Sequence, residues 1–257
     1  MGPFIEEPEG TRRLEYAEIA GDPARPALVF LHEGLGSVGL WRDFPARVAA
    51  ATGRRALIYS RLGHGASGPL EKPRTPRFMH EEALETLPAL LDRFDLRDPL
   101  LVGHSDGASI ALIHAGAAGR PVSGLALLAP HVFVEDASVA GIEAARRAFA
   151  ETDLPARMAR HHRDAEATFR AWNDAWLDPG FRAWNIEDVL GGITCPVLVV
   201  QGTGDQYGTL AQVDAIERGV RGPFRRLVLD VGHAPHLEAP EETLAAIVDF
   251  AGALPQV

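Results

Sequence analysis

The chain has 257 residues, 46% hydrophobic and 23% charged, with a formal charge of -10. That length suits one α/β domain with room for an inserted subdomain, and two independent domains are not expected. The acidic balance argues against a nucleic-acid or anionic-membrane partner, both of which need a basic face, and the single Cys195 excludes an internal disulfide or a multi-cysteine metal site.

Met1-Gly2-Pro3-Phe4-Ile5-Glu6-Glu7 places acids where a secretory leader needs a basic segment and an apolar run, so a cytoplasmic location is expected. No window reaches the length of an apolar membrane span. Residues 14–20 alternate as a short strand. Residues 27–31 are continuously apolar, the pattern of a strand buried on both faces of a parallel sheet. This run leads into His32-Glu33-Gly34-Leu35-Gly36-Ser37 and then a helix over 41–51. A strand at 55–59 runs into the glycine-rich loop 60–68. Residues 80–92 are helical in period, with Pro88 expected to kink or restart the helix.

The chain is organised around residues 100–112: an apolar strand, a tight turn and a small-residue helix extending over 108–118. Gly103-His104-Ser105-Asp106-Gly107 matches G-x-S-x-G, a turn that projects a serine hydroxyl out of the sheet. The glycines are steric requirements, because only side-chain-free positions let strand and helix pass that closely. Ser105 is therefore the expected nucleophile. The Asp106 amide, at the positive end of the helix, is expected to supply half of an oxyanion hole. A strand at 124–129, closed by Pro130, completes the β/α alternation of a doubly wound parallel sheet.

The alternation then stops. Residues 131–192 hold no strand-like run, only helical stretches at 139–151, 155–162 and 165–176, and three of the four tryptophans: Trp172, Trp176 and Trp184. Roughly sixty residues far exceed the dozen or so that a crossover needs. A helical cap over 131–192 is expected on a core made of 1–130 and 193–257. Its tryptophans are expected either to line an apolar substrate pocket or to pack between cap helices. His161-His162, with Asp164 and Glu166, is read as a solvated helix face, since adjacent histidines on a helix diverge. Cys195, leading into an apolar strand, is read as packing.

The sheet resumes at 196–201 and ends in Gly202-Thr203-Gly204-Asp205. A helix over 210–218 and a strand at 226–229 lead to Asp230-Val231-Gly232-His233-Ala234-Pro235-His236, and Pro240 opens a closing helix. A serine nucleophile needs a histidine to take its proton and an acid to hold that histidine. Ser105, Asp205 and His233 supply them in the order expected for this turn, each just past a strand end. Asp230 and His236 are the alternative acid and base.

These motifs together resemble the α/β-hydrolase fold family from residue 14 to the C-terminus, interrupted only by the helical insertion. They are 31–37, 60–67, 103–107, 202–205, and Gly232-His233 with Glu238 and Pro240 downstream. The resemblance implies a mostly parallel twisted sheet with helices on both faces, and a second oxyanion amide on Gly34. Glu33 stands where the family commonly has glycine, so the register leaves Glu33 as an alternative. Ser60 stands where aspartate is common. A serine at the apex sets the chain apart from relatives that attack with aspartate, such as haloalkane dehalogenases and epoxide hydrolases.

The implied activity is hydrolysis of a small-molecule carboxylic ester through an acyl-enzyme, with no metal and no organic cofactor. A carbon–carbon bond hydrolase of aromatic breakdown would use the same three residues, and so would a ligand receptor that turns over slowly. Glu33 and Asp106 would place two carboxylates near the entrance, which offers a place for a basic amine. The oligomeric state has no signal in the sequence.

Overall fold

A computed structural model describes residues 4–6 and 13–254. Most of the N-terminal stretch read for a leader therefore lies outside the described residues. Among the described residues eight strands form one sheet: β1 (Phe4–Glu6), β2 (Arg13–Ile19), β3 (Leu28–Leu31), β4 (Ala56–Tyr59), β5 (Leu100–His104), β6 (Gly124–Leu128), β7 (Val197–Gly202) and β8 (Phe224–Leu229). Their spatial order is β1-β2-β4-β3-β5-β6-β7-β8. β1, β2 and β4 pair antiparallel, and every pairing from β4 to β8 is parallel.

The strand order reverses beside β3, which lies between β4 and β5. In an open α/β sheet the crevice forms outside the carboxyl ends at such a point. The register places Leu31 opposite Gly103. The loop after β3 and the turn after β5 consequently leave the sheet side by side.

The continuous apolar runs follow from burial on both faces. Val29, Leu31, Leu57 and Leu101 pack into one layer, and Leu28, Phe30, Ile58, Leu100 and Val102 into the other. β8 begins two residues before the expected 226, because Phe224 and Arg225 continue the pairing with Val197 and Leu198. Exposed Arg225 hides that start in the sequence, since an edge strand needs only partial cover.

Pro88 acts as expected. A helix at Phe78–Glu81 widens into a π-helical stretch at Glu82–Thr86, and α-helix resumes at Leu87–Arg93. Proline has no N–H for the preceding turn, and the widened turn absorbs its ring.

Within 131–192 the helices are Asp136–Glu151, Leu154–Met158, Ala165–Trp176 and Glu187–Leu190, with a 3-10 turn at Pro179–Ala183. The Ala165–Trp176 helix starts where the Asp164 carboxylate accepts from the Ala167 amide at 2.9 Å. It buries Phe169, Trp172 and Trp176, one stripe at spacings of three and four. The Glu187–Leu190 turn, absent from the sequence reading, packs against the helices Asp106–Ala117 and Leu210–Gly219 of the sheet layer. Among the described residues no helix is long and apolar enough to cross a membrane.

Candidate active site

Ser105 sits between β5 and the helix Asp106–Ala117 with φ 51° and ψ -118°, in the left-handed region where a non-glycine residue is strained. Its neighbours explain why the strain is held. A Cβ on Gly103 would lie 2.5 Å from the Gly107 carbonyl oxygen, and one on Gly107 would collide with the carbonyl of Leu31. The turn closes only because both positions lack a side chain.

The structure brings together all three residues read for the triad. His233 Nε2 lies 2.9 Å from Ser105 Oγ, and Nδ1 lies 2.9 and 2.8 Å from the two carboxylate oxygens of Asp205. Asp205 also accepts from Gln201 Nε2 and the Tyr207 amide, both at 2.8 Å. Burial pushes the Asp205 carboxyl up, but His233 and the Tyr207 amide outweigh it and hold it below its usual value. Burial pushes the His233 imidazole down against the opposing pull of Asp205, which keeps it neutral and able to accept a proton.

The alternatives lie elsewhere. Asp230 is exposed and accepts from Thr203. His236 is buried against Trp41 and Phe44, and burial brings its pKa down to about 3.

The loop after β3 is tied through four successive carbonyls. Arg61, 1% exposed, donates to the carbonyls of His32 and Glu33 at 2.6 and 2.9 Å. His32 Nδ1 donates to Glu33 at 2.7 Å while its Nε2 accepts the Arg61 amide. His64 Nε2 donates to Gly34 at 2.9 Å. His162 Nε2 donates to Leu35 at 2.9 Å while its Nδ1 accepts the Gly65 amide. With the carbonyls held on one side, the amides of Gly34 and Leu35 are left without an acceptor among the described residues, as is that of Asp106. Those of Gly34 and Asp106 are the two amides read for the oxyanion hole. The Glu33 amide acts instead on its own carboxylate.

His162 corrects the reading of a solvated face. It is 5% exposed because it bridges to the loops at Gly65 and Leu35. Among the described residues no group of three or more histidines, cysteines or acids is gathered as for a metal ion.

A cleft of about 370 Å³ opens on Ser105 and His233, lined by Glu33, Gly34, Leu35, His104, His131, Ile142, Trp172, Trp176 and Tyr207 among others. Trp172 lies against Gly34, where any side chain would meet its indole. Trp184 stands one layer back, stacked on Phe181 at 5.3 Å, and does not reach the cleft.

The side chain of Asp106 also turns away from the cleft. It is 1% exposed, accepts from Trp176 Nε1 at 3.1 Å and lies 3.8 Å from Arg61. The expected pair of entrance carboxylates is therefore Glu33 alone. Cys195 packs against the core, and burial raises its thiol to about 11, leaving it unreactive as read.

Arg61, His64, His104, His131 and Gln201 were missed in the sequence. Arg61 carried a signal, since an arginine two places after an all-apolar strand end must either find buried partners or end the burial.

A family model described as "Alpha/beta hydrolase family" matches residues 28–247. The chain is 34% identical over 102 residues to the sn-1-specific diacylglycerol lipase ABHD11 of Mus musculus, covering 40% of this chain and 32% of the lipase. It is 35% identical over 131 residues to the dihydrolipoyllysine-residue acetyltransferase component of the acetoin cleaving system of Pseudomonas putida, covering 50% and 33%. Each alignment thus spans about a third of the relative's length. Among solved structures, the enol-lactonase from Burkholderia xenovorans LB400 superposes with a TM-score of 0.76 at 20% identity, covering 97% of this chain and 100% of that one. At that identity the likeness speaks for the fold.

Proposed function

The chain belongs to the alpha/beta hydrolase family, and from that premise we propose that it is a serine hydrolase cleaving a small-molecule carboxylic ester through an acyl-enzyme. The observation that carries the reading is the unbroken hydrogen-bond chain Asp205–His233–Ser105, with contacts of 2.8 to 2.9 Å, opening onto an apolar cleft. In the proposed reaction Ser105 Oγ bonds to the ester carbonyl carbon as His233 Nε2 takes its proton. The oxyanion is held by the amides of Gly34 and Asp106, each worth about 3 kcal/mol by analogy with other oxyanion holes. His233 then returns the proton to the leaving alkoxide, and the alcohol departs. Water attacks the acyl-enzyme with His233 again as base, releasing the acid and restoring Ser105.

In this reading residues 131–192 act as a cap over a core of 1–130 and 193–257. Trp172 and Trp176 face the acyl group, and Trp184 supports them. The carbon–carbon alternative fits less well, because a dienoate substrate carries a carboxylate and the cleft lining offers no Lys or Arg to meet it. The test is hydrolysis of short p-nitrophenyl esters by the purified protein, compared with Ser105→Ala. The substitution is expected to lower kcat by at least about 10⁴. Activity within tenfold of wild type would remove the reading. A stoichiometric burst without steady turnover would favour a slow ligand receptor.

A further inference from the structure

Beside the proposed triad lies a second histidine–carboxylate pair with a different geometry. His104 directly precedes Ser105, and Glu33 directly precedes Gly34, so the pair adjoins the reacting carbonyl from both sides. His104 Nε2 lies 2.8 Å from the carbonyl oxygen of His233 and donates to it. His104 Nδ1 faces Glu33 Oε2 at 3.5 Å and, though buried, has no hydrogen-bond partner. The two atoms face each other at a separation that makes no hydrogen bond, so the Glu33 oxygen is not satisfied by His104. The carboxylate oxygen is thereby open to a third group that donates to it. Burial pushes the Glu33 carboxyl up, yet His104 and His236 outweigh it and hold it at about 2, so it is ionised.

The rest of the cleft agrees on the sign of that missing donor. Its lining has no Lys or Arg, and Trp172, Trp176 and Tyr207 offer aromatic faces suited to a cation. The other lining acid, Glu238, already accepts from the amides of Gly232 and Ala234 at 2.7 and 3.0 Å. Glu33 is left with accepting capacity and 29% exposure.

Resting on the acyl-transfer reading above, we propose that Glu33 and His104 form a subsite for a protonated amine, so that the preferred substrates are aminoacyl esters with the amine on the carbon next to the reacting carbonyl. An ammonium nitrogen about 2.9 Å from the Glu33 carboxylate meets its exposed part, with the buried His104 ring behind it. The groups facing the pair are His233, His236 with Arg42 behind it, and His162.

The test compares leucine p-nitrophenyl ester with the 4-methylpentanoyl ester of the same skeleton. Wild type is expected to favour the aminoacyl ester in kcat/KM by about tenfold or more, and Glu33→Gln to bring that ratio towards one. Calorimetric binding of leucinol against 4-methylpentan-1-ol needs no turnover and is expected to show the same preference and its loss. Equal binding of the two alcohols by wild type overturns the subsite, as does a preference that survives Glu33→Gln. Absence of ester hydrolysis with leucinol preferred overturns the hydrolase reading alone.

Discussion

Two backbone segments meet at Ser105, and they are held by opposite means. The turn Gly103–Gly107 is shaped by what is missing: two Cβ atoms whose presence would drive strand β5, the following helix and the end of β3 into one another. The loop 32–36 is shaped by what reaches it from afar: Arg61, His64 and His162 tie its carbonyls, and Trp172 lies on Gly34. The first is a steric constraint within five residues. The second is a polar network assembled from two other parts of the chain, and it can be loosened one bond at a time.

Gly107→Ala should break the first segment outright. Its Cβ would overlap the carbonyl of Leu31, which is backbone of a fully buried strand and cannot give way. A loss of more than about 4 kcal/mol in chemical denaturation, or failure to fold, is expected. Arg61→Met should damage the second segment less. It removes two donors to the loop and one counter-charge of buried Asp106, while Arg74 remains nearby to act on that acid. About 3 kcal/mol is expected in stability. A misplaced Gly34 amide should lower kcat by about 10² with KM little changed. A fall in KM-controlled binding with kcat intact would mean that Arg61 does not position the loop.

This contrast explains what could be read in advance. The strands, the serine turn and the Ser105, Asp205, His233 order were legible because short-range sterics and strand periodicity leave their mark on neighbouring residues. The fastening of the loop was not, since nothing near His162 in the sequence announces a partner at Leu35, and a histidine pair on a polar segment looks solvated. Glu187–Leu190 escaped for a related reason. One turn of helix has too few residues to show a period, and only its packing against the helices beneath makes it regular.

Acidification should weaken the loop through His32 and His64, alongside the buried His131, His233 and His236 outside it. Burial pushes His32 and His64 well below the usual histidine value, and His32 accepts as well as donates in its neutral form. Unfolded histidines gain protons below about 6.5 while these do not. The folded state then binds fewer protons, so stability is fully present above that pH and falls as pH drops through it. Each such histidine contributes up to about 1.4 kcal/mol per pH unit. Tm measured from pH 8 to 5 should decline below 6.5, and a flat profile would argue against neutral loop histidines. In the proposed reaction His233 sets the acid limb of kcat/KM, which should also lie below the usual histidine value.

The tryptophans separate the two segments most finely. Trp176 donates to Asp106 on the serine side, and Trp176→Phe leaves that buried carboxylate oxygen without its partner, at about 1–3 kcal/mol. Trp172 touches only the loop side, through Gly34, and lines the cleft, so Trp172→Phe should raise KM several-fold with stability nearly unchanged. Trp184 touches neither segment. Its ring stacks on Phe181, 5.3 Å away, and its indole N–H has no acceptor to lose, so phenylalanine keeps the stack and removes an unpaired donor. Trp184→Phe should therefore change kcat/KM by less than about threefold and leave Tm level or slightly raised. A larger kinetic effect would show that the second aromatic layer sets the position of Trp176, and with it the Asp106 side of the proposed oxyanion hole.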